Sequence, residues 1–103
     1  MKPTDVRDQN FNGLIAGLDA GRMRVYNAWC NHCPGTTRGV AMRSGIDILT
    51  FRPRSTELYQ AGLLMIIDSI DGQGIYRVRL SNEWEAWHAG QIRTGAGAQL
   101  QML

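Results

Sequence analysis

The chain has 103 residues, of which 44% are hydrophobic and 19% are charged, and this composition favours one folded domain with a modest core over a disordered chain. Its formal net charge of +2 is too small to identify a nucleic-acid-binding protein, so the placement of the charges matters more than their sum. No run approaches the roughly 18 apolar residues of a membrane span, and the polar start MKPTDVRDQN lacks a signal-peptide core, so we expect a cytoplasmic protein with no membrane partner.

The composition changes at both ends of the chain. Residues 1–10 are mostly polar or charged and predict a flexible N-terminal arm. Residues 94–103, TGAGAQLQML, are rich in glycine and alanine and predict a flexible C-terminal tail. The folded domain is therefore expected to take in residues 11–93.

Two helices are predicted before the Pro34-Gly35 break. The first is short and has four apolar residues at helical spacing: Phe11, Leu14, Ile15 and Leu18. Asp19 can cap a second helix that runs to about residue 32, because its carboxylate can accept hydrogen bonds from free amides of the first turn. Four residues of that helix are expected to share one face: Tyr26, Trp29, Cys30 and Cys33.

Two more helices are predicted on either side of Ser44-Gly45. Thr36 or Thr37 can cap the first, and Asp47 can cap the second, which should reach Ala61. Pro53 predicts a kink or a tightened first turn, and a helix that begins only near Arg52 stays open as an alternative. Three residues should face the core: Phe51, Ser55 and Leu58. Five should point largely outward: Ile48, Leu49, Thr50, Arg52 and Arg54.

A β-hairpin and a last helix complete the predicted elements. The run LLMIID at residues 63–68 and the alternating run IYRVRL at residues 75–80 read as strands joined by the turn SIDGQG. Ser81 can cap a helix over residues 82–93. Its predicted aromatic face consists of Trp84, Trp87, His88 and Ile92.

The segment from Pro34 to Leu63 carries a family resemblance. It has the form PGTTR, then alanine, then SGI, then RPR, TEL and GL, which recurs in small phage and prophage members of the winged helix-turn-helix superfamily. The chain resembles these proteins over about residues 20–80. The resemblance implies a mainly α fold with a small β-hairpin wing (α+β), in which a three-helix core is followed by a C-terminal helix.

The same resemblance implies sequence-specific binding to duplex DNA, as in a phage or prophage transcriptional regulator. Between residues 36 and 54 there are four arginines and one acid, a local balance of four minus one, or +3. Free amides and hydroxyls at a helix N-terminus suit a phosphate, and arginines on the next helix can reach phosphates or guanine edges. The expected DNA contacts are Thr36, Thr37, Arg38, Ile48, Leu49, Thr50, Arg52 and Arg54.

Two features favour a protein partner as the alternative. The predicted wing carries Asp68 and Asp71 where a DNA-binding wing usually offers lysine or arginine. Ile48 and Leu49 also place aliphatic bulk on the surface that would face a groove. The alternative is a phage-encoded interaction module that docks by the same helices on a host nuclease, polymerase or defence complex and inhibits or redirects it.

Apolar residues at the two flanks of the domain indicate either further core or a homodimer interface, and a dimer would suit a two-fold operator. The residues concerned are Phe11, Leu14, Ile15, Trp84, Trp87 and Ile92.

Enzymatic activity, a cofactor and a metal are not expected. The two histidines have no evident nucleophile or carboxylate partner, and no phosphate-binding GxxxxGK[ST] is present. The motif CNHC at residues 30–33 supplies half of a zinc site, but no second CxxC exists. We interpret Cys30 and Cys33 as buried or partly buried helix cysteines, with metal and redox roles as less favoured alternatives.

We therefore expect that neither chelation nor reduction changes the folded protein. Thermal unfolding in EDTA or in dithiothreitol should give the melting temperature of the untreated sample. A fall of many degrees after EDTA, or stoichiometric zinc in native mass spectrometry, would contradict this expectation.

Overall fold

A computed structural model of the chain describes the backbone of residues 11–102 and the side chains of residues 11–91. In this range there are five helices and a two-stranded antiparallel sheet. The elements are α1 (residues 11–16), α2 (Ala20–His32), α3 (Thr37–Ser44), α4 (Ile48–Gln60), β1 (Leu64–Ile70), β2 (Gln73–Val78) and α5 (Ser81–Met102). This mainly α fold with a β-hairpin wing confirms the predicted fold class. The predicted arm, residues 1–10, lies outside the described residues.

The predicted helix caps form, and they set where the helices begin. Asp19 caps α2 and Asp47 caps α4, each through a carboxylate oxygen that accepts a hydrogen bond from an amide of the first turn. For α3 the structure selects Thr36, whose hydroxyl accepts from the Gly39 amide at 3.0 Å. Helix α4 begins at Ile48 and includes Pro53, so the alternative of a later start is wrong.

The core lies between α2, α3, α4 and the base of the hairpin. Phe51 and Leu58 are 0% and 1% exposed, as predicted, and they pack with the fully buried Trp29 and Val40. The Trp29 indole N–H donates to the Ser55 hydroxyl oxygen at 2.9 Å, which gives two buried polar groups a partner inside the core. The buried hydrophobic residues are Val25, Ala28, Trp29, Val40, Ala41, Ile46, Phe51, Leu58, Leu63, Leu64 and Trp84.

The predicted inner face of α2 is rotated from the observed one. The buried residues are Val25, Ala28 and Trp29, whereas Tyr26 is only half-buried. Cys30, expected to be at least partly buried, is exposed. Positions i, i+3 and i+4 form one stripe of a helix, and on α2 the buried stripe is Val25, Ala28 and Trp29.

The hairpin turn is shorter than predicted. Strand β1 continues to Ile70 and β2 begins at Gln73, so the turn consists of Asp71 and Gly72, with φ of 51° and 79°. Positive φ at both central residues is the geometry of a type I′ turn, which Asp-Gly favours. The register shifts between Ile66 and Asp68, where β1 carries a bulge.

Helix α5 is longer than predicted. It runs from Ser81 through Met102, where the sequence predicts an end near residue 93 and a flexible tail after it. Once a first turn is formed, each added residue costs little, and alanine, glutamine and leucine are good helix formers. The interspersed glycines therefore do not end the backbone helix.

We expect the substitution Phe51→Ala to cost about 3–5 kcal/mol of unfolding free energy, because it leaves a cavity at the centre of the core. Chemical denaturation measures this loss. The matched control Leu49→Ala truncates a side chain on the same helix that is 80% exposed, and it should unfold like the parent. A Phe51→Ala midpoint equal to the parent's would contradict the packing of α4.

Candidate nucleic-acid interface

The turn between α3 and α4 fixes which side of α4 faces solvent. Gly45 adopts φ 73°, a left-handed conformation that glycine reaches at little cost, and its amide donates to the carbonyl oxygens of the last turn of α3. Ile46 follows at 7% exposure and anchors the turn in the core. With Phe51 and Leu58 also inside, the opposite side of α4 is directed outward.

That outward side is a continuous stripe, which we call the outer stripe of α4. It consists of exposed residues at positions i, i+3, i+4 and i+7, namely Leu49, Arg52, Pro53 and Thr56. It contains one cation, no carboxylate and one large aliphatic side chain. The stripe therefore combines a charged group that attracts anions with an apolar surface.

A cleft of about 240 Å³ lies beside the outer stripe, between the start of α3, the middle of α4 and the wing. We call it the arginine cleft. It is lined by Thr37, Arg38, Arg52, Gln73, Gly74 and Tyr76. Arg38 and Arg52 are exposed, and neither makes a hydrogen bond or ion pair through its side chain to the described residues. Two unpaired guanidinium groups next to a helix N-terminus, without a lining carboxylate, favour a phosphate group.

Arg54 does not share this surface with Arg52. Two positions correspond to about 200° around a helix, so the two arginines point to different sides of α4. The Arg54 guanidinium pairs with Glu57 at 3.0 Å, and Glu57 also pairs with Arg22 of α2 at 2.9 Å. Hydrogen bonds first from Arg22 and then from Arg54 hold the pKa of Glu57 below its ordinary value. The structure thus places Arg54 in an ion-pair network between α2 and α4.

The remaining predicted contact residues do not all lie on the surface formed by the outer stripe and the arginine cleft. The Thr36 hydroxyl oxygen caps α3, while Thr37 is half-buried and lines the arginine cleft. Thr50 is exposed, but it lies on the Arg54 side of the helix. Ile48 is half-buried against the core, so the expectation that it points largely outward is wrong. Its position in the first turn of α4, two residues after the buried turn residue Ile46, brings it against the core.

The wing is tied to α5 by the pair Arg77 and Glu83. The two guanidinium-to-carboxylate hydrogen bonds are 2.9 and 2.6 Å long, and the Leu80 amide donates to the same carboxylate at 2.7 Å. The Arg77 guanidinium, and then the Leu80 amide, lower the pKa of Glu83 to about 2. Arg79 donates to the Gly62 carbonyl oxygen at 3.1 Å and covers a tryptophan ring of α5. Arg77 of β2 and Arg79, which directly follows the end of the strand, therefore both interact with groups of the chain itself.

The rest of the wing carries acids and exposed isoleucines. Its charged side chains from residue 64 to residue 76 are Asp68 and Asp71. Ile66, Ile67 and Ile70 are 47%, 45% and 54% exposed. This part of the wing has no cation with which to neutralise a phosphate.

The wing supplies three lining residues that the sequence prediction misses. Gln73, Gly74 and Tyr76 close one side of the arginine cleft. Tyr76 is joined to the loop before α3 by reciprocal backbone hydrogen bonds with Gly35, at 2.9 and 3.1 Å. Alternation along a strand places Gly74 and Tyr76 on the same face, but the sequence does not show which element that face meets.

The predicted interface residues at the flanks are largely packed within the chain. Trp84 is 4% exposed; its ring centroid is 5.8 Å from that of Phe11, and its indole N–H donates to the Ala61 carbonyl oxygen at 3.0 Å. The partly buried residues packed on the core include Leu14, Ile15 and Trp87. The side chain of Ile92 lies outside the described residues.

Cys30 and Cys33 belong to no metal-binding cluster among the described side chains. Both thiols are free, and among the described side chains no three histidine, cysteine, aspartate or glutamate residues converge on a metal-sized site. No helix in the described range has the length and apolar character needed to cross a membrane.

The order of elements, the outward helix and the hairpin define a winged helix-turn-helix domain. A solved structure of Staphylococcus aureus MarR in complex with salicylate and kanamycin shares the fold, with a TM-score of 0.55 and 16% identity over 82% of this chain and 60% of that one. A candidate DNA-binding protein from Ralstonia eutropha JMP134 has a TM-score of 0.49 and 22% identity, over 72% and 96% of the two chains. No protein-family model and no curated protein matches the sequence.

The substitution Glu83→Gln should lower the melting temperature at pH 7 because it removes the clamp between the wing and α5. A carboxylate whose folded pKa is depressed stabilises the fold above its unfolded pKa, near 4.5, and this contribution is lost as the pH falls toward 2. The gap between parent and variant should therefore close between these two values. Arg77→Gln, which removes the partner, should behave in the same way. Stability curves that stay parallel from pH 7 to pH 2 would contradict this account.

Proposed function

We propose that the protein binds duplex DNA sequence-specifically, with α4 in the major groove, and acts as a phage or prophage transcriptional regulator. The observation that carries the proposal is the arginine cleft, where Arg38 and Arg52 stand unpaired beside an outer stripe that has no carboxylate. The resemblance of residues 34–63 to phage and prophage winged-helix proteins supports the biological setting.

The dimensions of the helices suit this mode of binding. Helix α4 has 13 residues, so it is about 20 Å long, and an α-helix with side chains fits a major groove about 12 Å wide. Helix α3 packs against α4, and its residues Arg38 and the half-buried Thr37 line the arginine cleft. In this arrangement Arg38 contacts the phosphate backbone, and Arg52 reaches a phosphate or a guanine edge.

The wing then contributes little to the affinity. A wing that approaches the backbone usually supplies cations, but Asp68 and Asp71 would meet phosphates with like charge. Binding therefore depends on α3 and α4. The number of neutralised phosphates, and with it the salt dependence of binding, should be small for a DNA-binding domain.

A homodimer forms part of the proposal. Helix-turn-helix dimers read two half-sites one helical turn apart, which compensates for the few contacts that one small domain makes. The candidate contact residues are those at the flanks that keep exposed surface, Leu14, Ile15 and Trp87, with Ile92 on the continuing helix.

The exposed isoleucines of the wing favour a second candidate function. Ile66, Ile67 and Ile70 lie among Asp68 and Asp71, a mixture of apolar and acidic groups that suits a basic protein surface better than DNA. The corresponding proposal is a phage-encoded module that docks through its wing on a host nuclease, polymerase or defence complex.

Alanine variants of the arginines test DNA binding. The probe is the tightest duplex recovered by the parent protein from a randomised library, titrated by fluorescence anisotropy at several salt concentrations. Arg38→Ala should weaken all duplexes alike and flatten the plot of log affinity against log salt by about one unit. Arg52→Ala should weaken the selected duplex by about 1–3 kcal/mol and relax the preference at one base pair. Arg24→Ala, which removes an exposed arginine on α2, is the matched control and should bind like the parent.

The results of these titrations and of a protein-capture experiment distinguish the two candidate functions. Unchanged DNA affinity in the Arg38→Ala/Arg52→Ala double variant would contradict binding through the arginine cleft. If that variant binds DNA normally while a wing variant, Ile67→Asp, loses a protein captured from host lysate, the function is the protein-docking one. Two protein chains per selected duplex in the same titration would support the homodimer, and one chain would contradict it.

A further inference from the structure

We infer that Leu49 reads the methyl group of thymine, so that the protein distinguishes thymine from an unmethylated pyrimidine by an apolar contact. This inference rests on the proposed DNA binding and identifies the chemistry that the outer stripe of α4 would recognise.

Leu49 is the most exposed large hydrophobic residue among those described, at 80%. It is nevertheless held in place, because its amide donates to the Asp47 carboxylate at 2.9 Å in the first turn of α4. The backbone at this position is fixed by the cap, and the side chain extends from it without support from neighbouring residues. Because the Leu49 side chain buries so little of its surface in the free protein, that surface is available to a ligand.

Its position on the helix ties it to the arginine cleft. Leu49 and Arg52 are three residues apart and lie on one face of α4, and Arg52 lines the cleft. A duplex whose backbone occupies the cleft therefore lies on the side of α4 to which Leu49 points. The first turn of a recognition helix is also the part that contacts base edges.

The other candidates for this role are excluded by their placement. Ile48 is half-buried against the core, and Thr50 points toward the side of Arg54 and Glu57. Met42 is 75% exposed but belongs to α3, at the spacing i+4 from Arg38, on the helix expected to cross the backbone. Leu49 is thus the aliphatic side chain on the outer stripe.

The chemistry of the groove then identifies the base. Leucine has no donor or acceptor, so next to the edge of guanine, adenine or cytosine it would take polar atoms out of water without replacing their hydrogen bonds. The thymine methyl is the one apolar group that a base pair presents in the major groove, and burying it against Leu49 removes apolar surface from water. The part of the wing between residues 64 and 76 has no cation to insert into a minor groove, so among the described elements we assign direct readout to α4.

Replacing thymine by deoxyuridine tests this directly, since it deletes the methyl and leaves every hydrogen-bonding group of the base pair in place. The probe is the duplex selected as above, made once with thymine and once with deoxyuridine throughout. The parent should bind the deoxyuridine duplex more weakly, by roughly fourfold for each methyl in contact. A scan of single replacements should confine the loss to one or two positions in each half-site.

The variant Leu49→Ala completes a double-mutant cycle between the Leu49 side chain and the thymine methyl. It should bind the thymine duplex about as weakly as the parent binds the deoxyuridine duplex, and it should no longer distinguish the two. Leu80→Ala is the matched control, since it truncates another leucine, 61% exposed, that lies between the wing and α5. It should keep the parent's affinities and the parent's discrimination.

The failure of this inference can be told from the failure of the proposed function. If no duplex shows binding that depends on Arg38 and Arg52, both are wrong. If such binding exists but the parent does not distinguish the two duplexes, thymine readout is wrong and DNA binding stands. Equal losses on both duplexes in Leu49→Ala would also overturn the inference, because Leu49 would then contribute something other than a contact with the methyl.

Discussion

The contact of Trp29 with α4 and the wing determines which side chains of α4 face solvent and where the wing lies beside them. Trp29 is fully buried, its indole N–H donates to Ser55, and its ring centroid lies 5.7 Å from that of Phe51 and 6.0 Å from that of Tyr76. One side chain of α2 therefore holds both α4 and β2. The hydrogen bond matters because a buried indole N–H without a partner is costly, so α4 cannot rotate without losing it. With Ser55 and Phe51 facing inward, Leu49 and Arg52 must face outward, and the wing closes the arginine cleft beside them.

Ion pairs then divide the arginines into those that support the fold and those that are free. Arg22 and Arg54 share Glu57, and Arg77 pairs with Glu83. Arg43 donates instead to backbone carbonyl oxygens at the end of α2 and the start of the next loop. The local charge of +3 around α3 and α4 thus overstates what a ligand meets, since Arg38 and Arg52 are its unpaired members. These partly buried pairs hold their arginines within the chain and leave Arg38 and Arg52 to meet a ligand.

The parts of this structure that follow from the sequence depend on neighbours along the chain. The caps Asp19 and Asp47, the turn at Gly45 and the inward set around Phe51 all follow from local hydrogen bonding and helical spacing. The Asp-Gly signal for a two-residue hairpin turn was also present, although a wider turn was predicted. By contrast, the ion-pair network of Arg54 reaches another helix, because its partner Glu57 on α4 also pairs with Arg22 of α2, 35 residues away. Local spacing also does not predict that Tyr76 closes the arginine cleft, because that depends on where the wing lies in three dimensions.

The acidic wing and Leu49 act differently on specific and non-specific affinity in the proposed binding mode. Phosphate contacts supply most non-specific binding and weaken as salt rises, whereas an apolar contact with a methyl group is insensitive to salt. A wing without cations lowers the affinity for every DNA sequence, because Asp68 and Asp71 repel the phosphates that lysine or arginine would attract. The contribution of Leu49 is retained only where a thymine lies opposite it. The wing therefore lowers the absolute affinity without changing the ratio of specific to non-specific affinity. The Leu49 contact raises that ratio, which decides occupancy among many competing sites.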